Sequence, residues 1–323
     1  MICILSTEED QSTNEVIDWI AYYDKPFIRI NSEDLISENE ININISKNII
    51  FLNGLKIEAN NIQSVWYRKW RFPNNLINFI KDDNEYAKAL EIEFNEISTF
   101  LFQYLENSCW LNHPDDKKIN KLYQMMVAES VGLNIPKSYL INNKKSLFDI
   151  YHYNRELVSK PLLANVTKIN GDEMKCSYTR ELDKELIESQ NEYFFPSLIQ
   201  EKIDKEFEIR SFYLEGNIYS MAIFSQNDIQ TQTDFRHYNS QRPNRTIPYI
   251  LPEIIQKKIA LLMNELNLIC GSLDLIKTKD GNYVFLEVNP NGQFGMISEP
   301  CNYQLEKKIA NFLIKADEKK SKY

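Results

Sequence analysis

Glycine is scarce in this chain of 323 residues: there are eight, and none builds the Gly-rich fingerprint that follows the first strand of a dinucleotide-binding unit. Histidine is scarcer. His113, His152 and His237 have no spacing that would build a triad or a metal site, and His237, beside Arg236, reads as an ordinary loop histidine. The five cysteines, Cys3, Cys109, Cys176, Cys270 and Cys301, are scattered, odd in number and without a C-x-x-C pair, so they suggest no zinc site and fit reduced thiols better than a disulfide framework. Positive charge is in deficit. A net charge of -9 and a pI near 5.1 argue against broad attraction to nucleic acid or anionic lipid. No apolar run approaches the roughly 18 residues of a membrane span, and the opening MICILSTEEDQ has neither a basic n-region nor a long apolar segment. The expectation is a cytoplasmic protein with no nucleic-acid partner and no membrane partner.

What is present describes a globular chain, with 43% hydrophobic and 26% charged residues. Its length suits two or three domains, because single cores stop growing at around 250–300 residues. Residues 2–6, ICILS, a helical pattern over 14–23 and a strand at 27–30 predict a β-α-β opening. Further strands are expected at 41–45, 49–57 (around Asn53-Gly54) and 62–66. The patch Trp66-Tyr67-Arg68-Lys69-Trp70-Arg71 has two readings: a grip on carboxylate or phosphate, or a strand end with snorkelling arginines, which we favour. A helix over 87–105 carries Leu90, Phe94, Ile97, Leu101 and Leu105 as its apolar stripe and closes the first domain.

Asp115 or Asp116 can cap a next helix running to about Val131, stopped by Gly132. On it Ile119, Leu122, Tyr123 and Met126 share a face, and Lys121 points away from that face. Strands at 136–141, 157–160 and 198–203 follow. A hairpin over 207–224 turns at Glu215-Gly216-Asn217, and a polar loop with Asp234-Phe235-Arg236, Arg242 and Arg245 is a second local source of positive charge. Amphipathic helices are expected at 254–266 and 305–314, the latter with a lysine-rich tail.

The chain is organised around GSLDLIKTKDGNYVFLEVNPNGQ, residues 271–293. Asp280-Gly281 is a strong hairpin signal, and a hairpin centred there sets Asp274 opposite Glu287. Alternation puts Tyr283, Phe285, Glu287 and Asn289 on one side and Val284, Leu286 and Val288 on the other. Like charges directly opposed across a ladder repel, so solvent or a cation must lie between them. A hard cation with oxygen ligands, such as magnesium, is one answer; a solvated outer face is the other.

Ordered motifs over about residues 110–315 resemble the ATP-grasp ligases: KLYQ at Lys121, SKP at Lys160, QEKI at Gln200–Ile203, EFEIR, DFR at Arg236, SLDL at Asp274 and LEVNPNGQ. Within that group the chain is similar to the RimK-like ribosomal-peptide maturases (graspetide synthetases), and most of all to the grasp-with-spasm peptide maturases. The resemblance implies a mixed α/β and α+β chain, an ATP-grasp fold behind an N-terminal α/β pre-grasp domain. The implied division is 1–110, 111–190 with the two phosphate lysines, and 191–323 with adenine hinge and metal site.

The resemblance also implies roles. Lys121 and Lys160 would bind ATP phosphates, Gln200, Glu201, Lys202 and Ile203 would form the adenine hinge, and Glu208 would accept from the ribose. Asp274, Glu287 and Asn289 would hold magnesium, two ions in number, while Arg236 and Arg210 would stabilise an acyl phosphate or steer the incoming carboxylate. The implied reaction is ATP-dependent activation of side-chain carboxylates in a ribosomal precursor peptide, with leader and core, followed by macrocyclic ester or amide formation. A SPASM-type protein is the implied partner, and a homodimer is one assembly open to the chain. The alternatives are a ligase that adds free amino acids or extends a peptide, and a non-catalytic ATP-binding scaffold. The chain departs from the pattern after Lys160, where PLLANVTKINGD has a single glycine, Gly171, and Asn165, Thr167 or Lys168 would take over the phosphate-covering role.

Overall fold

The computed structural model describes residues 1–35, 41–52, 54–73, 84–117, 119–154, 156–162, 166–169, 173–176, 179–237 and 239–320. They form two compact units, Met1–Lys118 with Gln304–Tyr323, and Ile119–Tyr303.

In the first unit the apolar run Ile2–Ser6 (β1) is buried throughout, as expected for a strand covered on both faces of a parallel sheet. Helix α1 (Gln11–Tyr22) leads to β2 (Phe27–Asn31), which pairs parallel to β1. Next come β3 (Ile41–Asn44), β4 (Ile49–Leu52) and β5 (Leu55–Ile57), a separate antiparallel sheet. β6 (Ser64–Tyr67), helix α2 (Asn84–Tyr104) and β7 (Cys109–Leu111) complete a parallel sheet of order β2-β1-β6-β7. Phe94, Leu101 and Leu105 of the expected stripe are buried with Cys3, Leu5 and Val65, whereas Ile97 is exposed.

The basic and aromatic patch belongs to this core. Trp66, Arg68 and Trp70 are buried, and Arg68 Nε lies 3.2 Å and Lys69 Nζ 2.8 Å from the carboxylate of buried Asp10. The patch is a strand end, but Arg68 does not snorkel: its guanidinium is buried against Asp10 rather than carried to solvent.

The second unit opens with α3 (Lys121–Ser130). This helix starts later than the sequence suggests: residues 115–117 form a separate 3-10 turn, and Asn120 is the cap, accepting from Leu122 N at 2.8 Å. Its buried face is also different. Gln124, Met125, Val127 and Ala128 are buried, and Tyr123 and Met126 are exposed. The cause is a polar anchor, Gln124 Oε1 accepting from Val288 N at 3.1 Å, which apolar spacing cannot report.

Strand β8 (Ser138–Asn143), helix α4 (Lys144–Tyr153) and β9 (Leu157–Lys160) follow. After β10 (Val166–Ile169) and β11 (Glu173–Cys176), which pair with each other, come β12 (Arg180–Leu182), α5 (Lys184–Ser189) and β13 (Tyr193–Glu201). The antiparallel sheet they build has the order β12-β9-β13-β8.

The larger sheet has β14 (Lys205–Leu214), β15 (Asn217–Phe224) and β16 (Arg245–Tyr249), then helix α6 (Glu253–Glu265), β17 (Cys270–Thr278) and β18 (Tyr283–Asn289), in the order β16-β15-β14-β17-β18. One face of this sheet packs on α6, whose Ile255, Ile259, Leu262 and Met263 share a core with Ile209, Leu273, Leu275 and Phe285. A short helix α7 (Gly295–Ser298) precedes α8 (Leu305–Lys320). The sequence groups this last helix with residues 191–323, but it belongs to the first unit.

Candidate active site

The hairpin of β17 and β18 brings Asp274 opposite Glu287. The register is not uniform. Below that pair it slips by one, so that Leu275 meets Phe285 and Leu286 is the extra residue of a bulge. A bulge reverses the alternation beyond it, so Phe285 and Tyr283 do not share the Glu287 face: both pack with Leu273 and Leu275 in the core. Leu286 instead lines the same cavity as Glu287.

That cavity lies between the four-stranded and five-stranded sheets of the second unit. Lys121, Lys160, Gln200, Glu201, Lys202, Ile203, Glu208, Arg236, Asp274 and Glu287 all line it. Two expected residues do not. Arg210, opposite Asp274 in the ladder, is screened from the cavity and holds that acid, its Nη1 2.6 Å from Asp274 Oδ1. Asn289 keeps the register, opposite Ser272, but its side-chain oxygen accepts from Asn291 N at 3.0 Å.

Neither acid is left facing the other unbalanced. Glu287 lies 2.7 Å from Lys121 Nζ and 3.4 Å from Arg236 Nη1. Lys121, expected to point to solvent, is turned inward by the rotated face of α3; its ammonium also donates to the Pro161 carbonyl at 3.2 Å. Burial and the nearby Glu287 push the Asp274 carboxyl upward against the pull of Arg210. Burial acts the same way on Glu287, but Lys121 and Arg236 overcome it and hold that carboxyl low. Lys160, at the end of β9, is brought down to about 8 by burial, with Lys121 and Arg236 adding to the effect against Glu287 and Asp234.

The hinge segment is held by its neighbours. Glu201 N donates to Lys137 O at 3.0 Å and Lys202 N to Glu156 O at 2.8 Å. Gln200 Nε2 donates to Ser138 Oγ at 2.8 Å, so its side chain braces the wall.

Sequence reasoning missed two lining residues, Asp234 and Lys205, and Glu181, which pairs with the lining Lys202. Asp234 grips Arg236 through a fork, with Nε and Nη2 each 2.9 Å from its two oxygens; burial alone would raise its carboxyl, but Arg236 lowers it to about 2. Lys205 pairs with Glu208, and Glu181 accepts from Lys202 at 2.8 Å and Thr233 at 2.6 Å. An acid two residues before Arg236 is the one available signal, since Lys205 reaches the cavity, and Glu181 reaches the lining Lys202, only through sheet packing.

The donors suit a polyphosphate and a hard cation. Lysine and arginine supply charge-assisted donors for phosphate, and opposed carboxylates supply oxygen ligands of the kind magnesium takes. The Arg210 Nε, buried, meets no acceptor among the described residues, which leaves the site with donor capacity to spare. Among the described residues no group of three or more His, Cys, Asp or Glu gathers for a metal, so the metal would rest on the two acids with ligand oxygens. Asn165, Thr167 and Lys168 have side chains outside those described. No described helix is long and apolar enough to cross a membrane.

Comparison with known proteins identifies the domains and the fold. Residues 1–118 match the MvdD pre-ATP grasp domain and residues 118–313 the RimK-like ATP-grasp domain. No curated protein matches. Among solved structures, the chain is similar to a Chryseobacterium gregarium RiPP-associated ATP-grasp ligase, solved with ADP and a leader and core peptide (23% identity, 97% of this chain and 96% of that one, TM-score 0.86). It is also similar to the macrocyclase MdnC from Microcystis aeruginosa MRC, solved with precursor peptide MdnA (25% identity, 98% and 100%, TM-score 0.84). A third is the ATP-grasp ligase PsnB with minimal precursor, Mg and ADP (17% identity, 98% and 97%, TM-score 0.78). With its cavity built on a RimK-like domain that spans more than half its length, the chain belongs to the RimK-like ATP-grasp family.

Proposed function

We propose that this ATP-grasp ligase activates a side-chain carboxylate of a ribosomal precursor peptide and closes a macrocyclic ester or amide. The observation that carries the reading is the meeting of Lys121, Lys160 and Arg236 with the opposed Asp274 and Glu287 in one cavity. MdnC and the Chryseobacterium ligase, which share the fold over nearly the whole chain, were solved with such peptides, and that supports the substrate class.

Lys121 and Lys160 bind the ATP phosphates, and the backbone of Glu201–Ile203 frames the adenine with Gln200 bracing it. Glu208 accepts from the ribose. Asp274 and Glu287, with Asn289 once its side chain turns, are the residues to hold magnesium, in the fullest form two ions. Bound there, magnesium supplies neutralisation of the β- and γ-phosphate charge.

A carboxylate oxygen attacks the γ-phosphorus, the bond to ADP breaks, and an acyl phosphate forms. A hydroxyl or amine then attacks the acyl carbon, phosphate leaves, and the nucleophile's proton passes to solvent or phosphate. Arg236 stabilises developing oxyanions from a position fixed in advance by Asp234, and Arg210 acts through the Asp274 it holds. Arg242, on the same loop as Arg236, and Arg245, the first residue of β16, suit an acidic peptide core with its leader. A SPASM-type partner and a homodimer belong to this reading as its proposed assembly.

Incubation with a ribosomal precursor peptide rich in acidic side chains, ATP and magnesium should release ADP and remove one water mass per crosslink. A mass gain would instead favour addition of a free amino acid, and unchanged peptide with no ADP would overturn the reading.

A further inference from the structure

Lys205 has no role in the reading above, yet its ammonium is buried in the cavity wall, with the residue 6% exposed. It donates to Glu208 Oε1 at 2.5 Å and to the Thr233 carbonyl at 3.3 Å. Residues three apart on a strand ordinarily point to opposite faces. Here β14 carries an irregularity between Lys205 and Phe207: Lys205 pairs with Thr278 and Phe207 with Lys277, leaving Glu206 as an extra residue. That bulge re-aims Lys205 to the face of Glu208.

Glu208 is 5% exposed and lines the cavity. Its Oε1 takes Lys205 and its Oε2 takes the Ser225 hydroxyl. An ionised carboxylate offers about four lone-pair sites, so each oxygen keeps acceptor capacity for a ligand. Without a counter-charge such a group would protonate or rotate away, since burial already pushes it upward.

We propose that Lys205 is a positioning residue for nucleotide sugar recognition: it holds Glu208 ionised and aimed, so that Glu208 accepts from the ribose hydroxyls. The inference rests on the nucleotide reading of the cavity and deepens it. A bland counter-ion role predicts a loss of stability on removing Lys205 and no change in which sugar is preferred.

Binding of ATP and of 2′,3′-dideoxy-ATP, each with magnesium, is measured by calorimetry for the full chain, Lys205→Met and Lys205→Gln. Hydrogen bonds to a charged group are worth enough that the wild type should prefer ATP by about tenfold to hundredfold. In both variants the preference should shrink to about threefold or less, as in Glu208→Gln, while triphosphate binding survives; Lys205→Arg should restore part of it. Lys205→Gln keeps two donors to its neighbours and serves if Lys205→Met fails to fold. A wild type with no preference overturns the ribose contact and the inference with it. A preference present in the wild type and unchanged in the variants overturns the Lys205 role alone.

Discussion

Asp274 and Glu287 face each other across one ladder, and each is held by a different cation, Arg210 at 2.6 Å and Lys121 at 2.7 Å. The repulsion that their opposition implies is thus relieved inside the chain. Removing one acid does not relax the site, as repulsion alone would suggest; it strands a positive charge.

Stability should therefore fall in Asp274→Ala. Arg210 is buried and its Nε already lacks an acceptor among the described residues, and breaking a buried pair costs about 3–5 kcal/mol. The double variant Asp274→Ala/Arg210→Met should regain most of that loss, as read by urea unfolding, while making no ADP. A stable single variant would contradict the pairing.

Divalent metal should need nucleotide. While Lys121, Arg210 and Arg236 neutralise the acids, a cation gains little; phosphates that draw Lys121 and Arg236 away release the oxygens. Manganese affinity read by electron paramagnetic resonance should rise by about tenfold or more when ATP is present. Lys121→Met should bind manganese more tightly than the wild type without nucleotide. Equal affinities with and without ATP would refute the exchange.

Acid should weaken the Asp234–Arg236 fork. The Asp234 carboxyl falls from its ordinary 3.8 to about 2 in the folded protein. A carboxyl held low stabilises the fold at pH values above its unfolded pKa and loses that contribution as pH falls through the folded one. The loss amounts to about 2 kcal/mol between about pH 4 and about pH 2. Asp234→Asn should be less stable at neutral pH and show a flatter acid limb in unfolding curves; an unchanged limb would contradict the fork's contribution.

Alkali should weaken nucleotide binding through Lys160. In the free protein its ammonium gives up its proton at about pH 8, whereas bound phosphates favour the charged form. Affinity should be level below that pH and fall by up to about tenfold per pH unit above it, with proton uptake on binding. Lys160→Arg should remove the slope. A slope that persists in that variant would assign it elsewhere.

Local signals made the hairpin legible. Asp280-Gly281 marks the turn, Gly281 adopts a φ of 94°, and strict alternation was enough to set Asp274 opposite Glu287. Alternation failed at Leu286 because an inserted residue costs little in a ladder and leaves no mark in composition, so the placement of Phe285 and Tyr283 was lost. The same holds for the bulge that turns Lys205 inward. Lys121 was misdirected because the orientation of α3 depends on the bond from Val288 N to Gln124, a contact between residues far apart in the chain. The cations that neutralise the acids come from three separate segments, α3, β14 and the loop of Arg236, and only the packed sheets bring them together.

The central claim, that a carboxylate oxygen attacks the γ-phosphate in this cavity, is tested most directly with a precursor peptide whose acidic side chains carry heavy oxygen. Phosphate released during crosslinking should contain one labelled oxygen per ester or amide formed, and Glu287→Gln should abolish both. Crosslinked peptide accompanied by unlabelled phosphate would contradict the acyl phosphate and the ligase mechanism built on it.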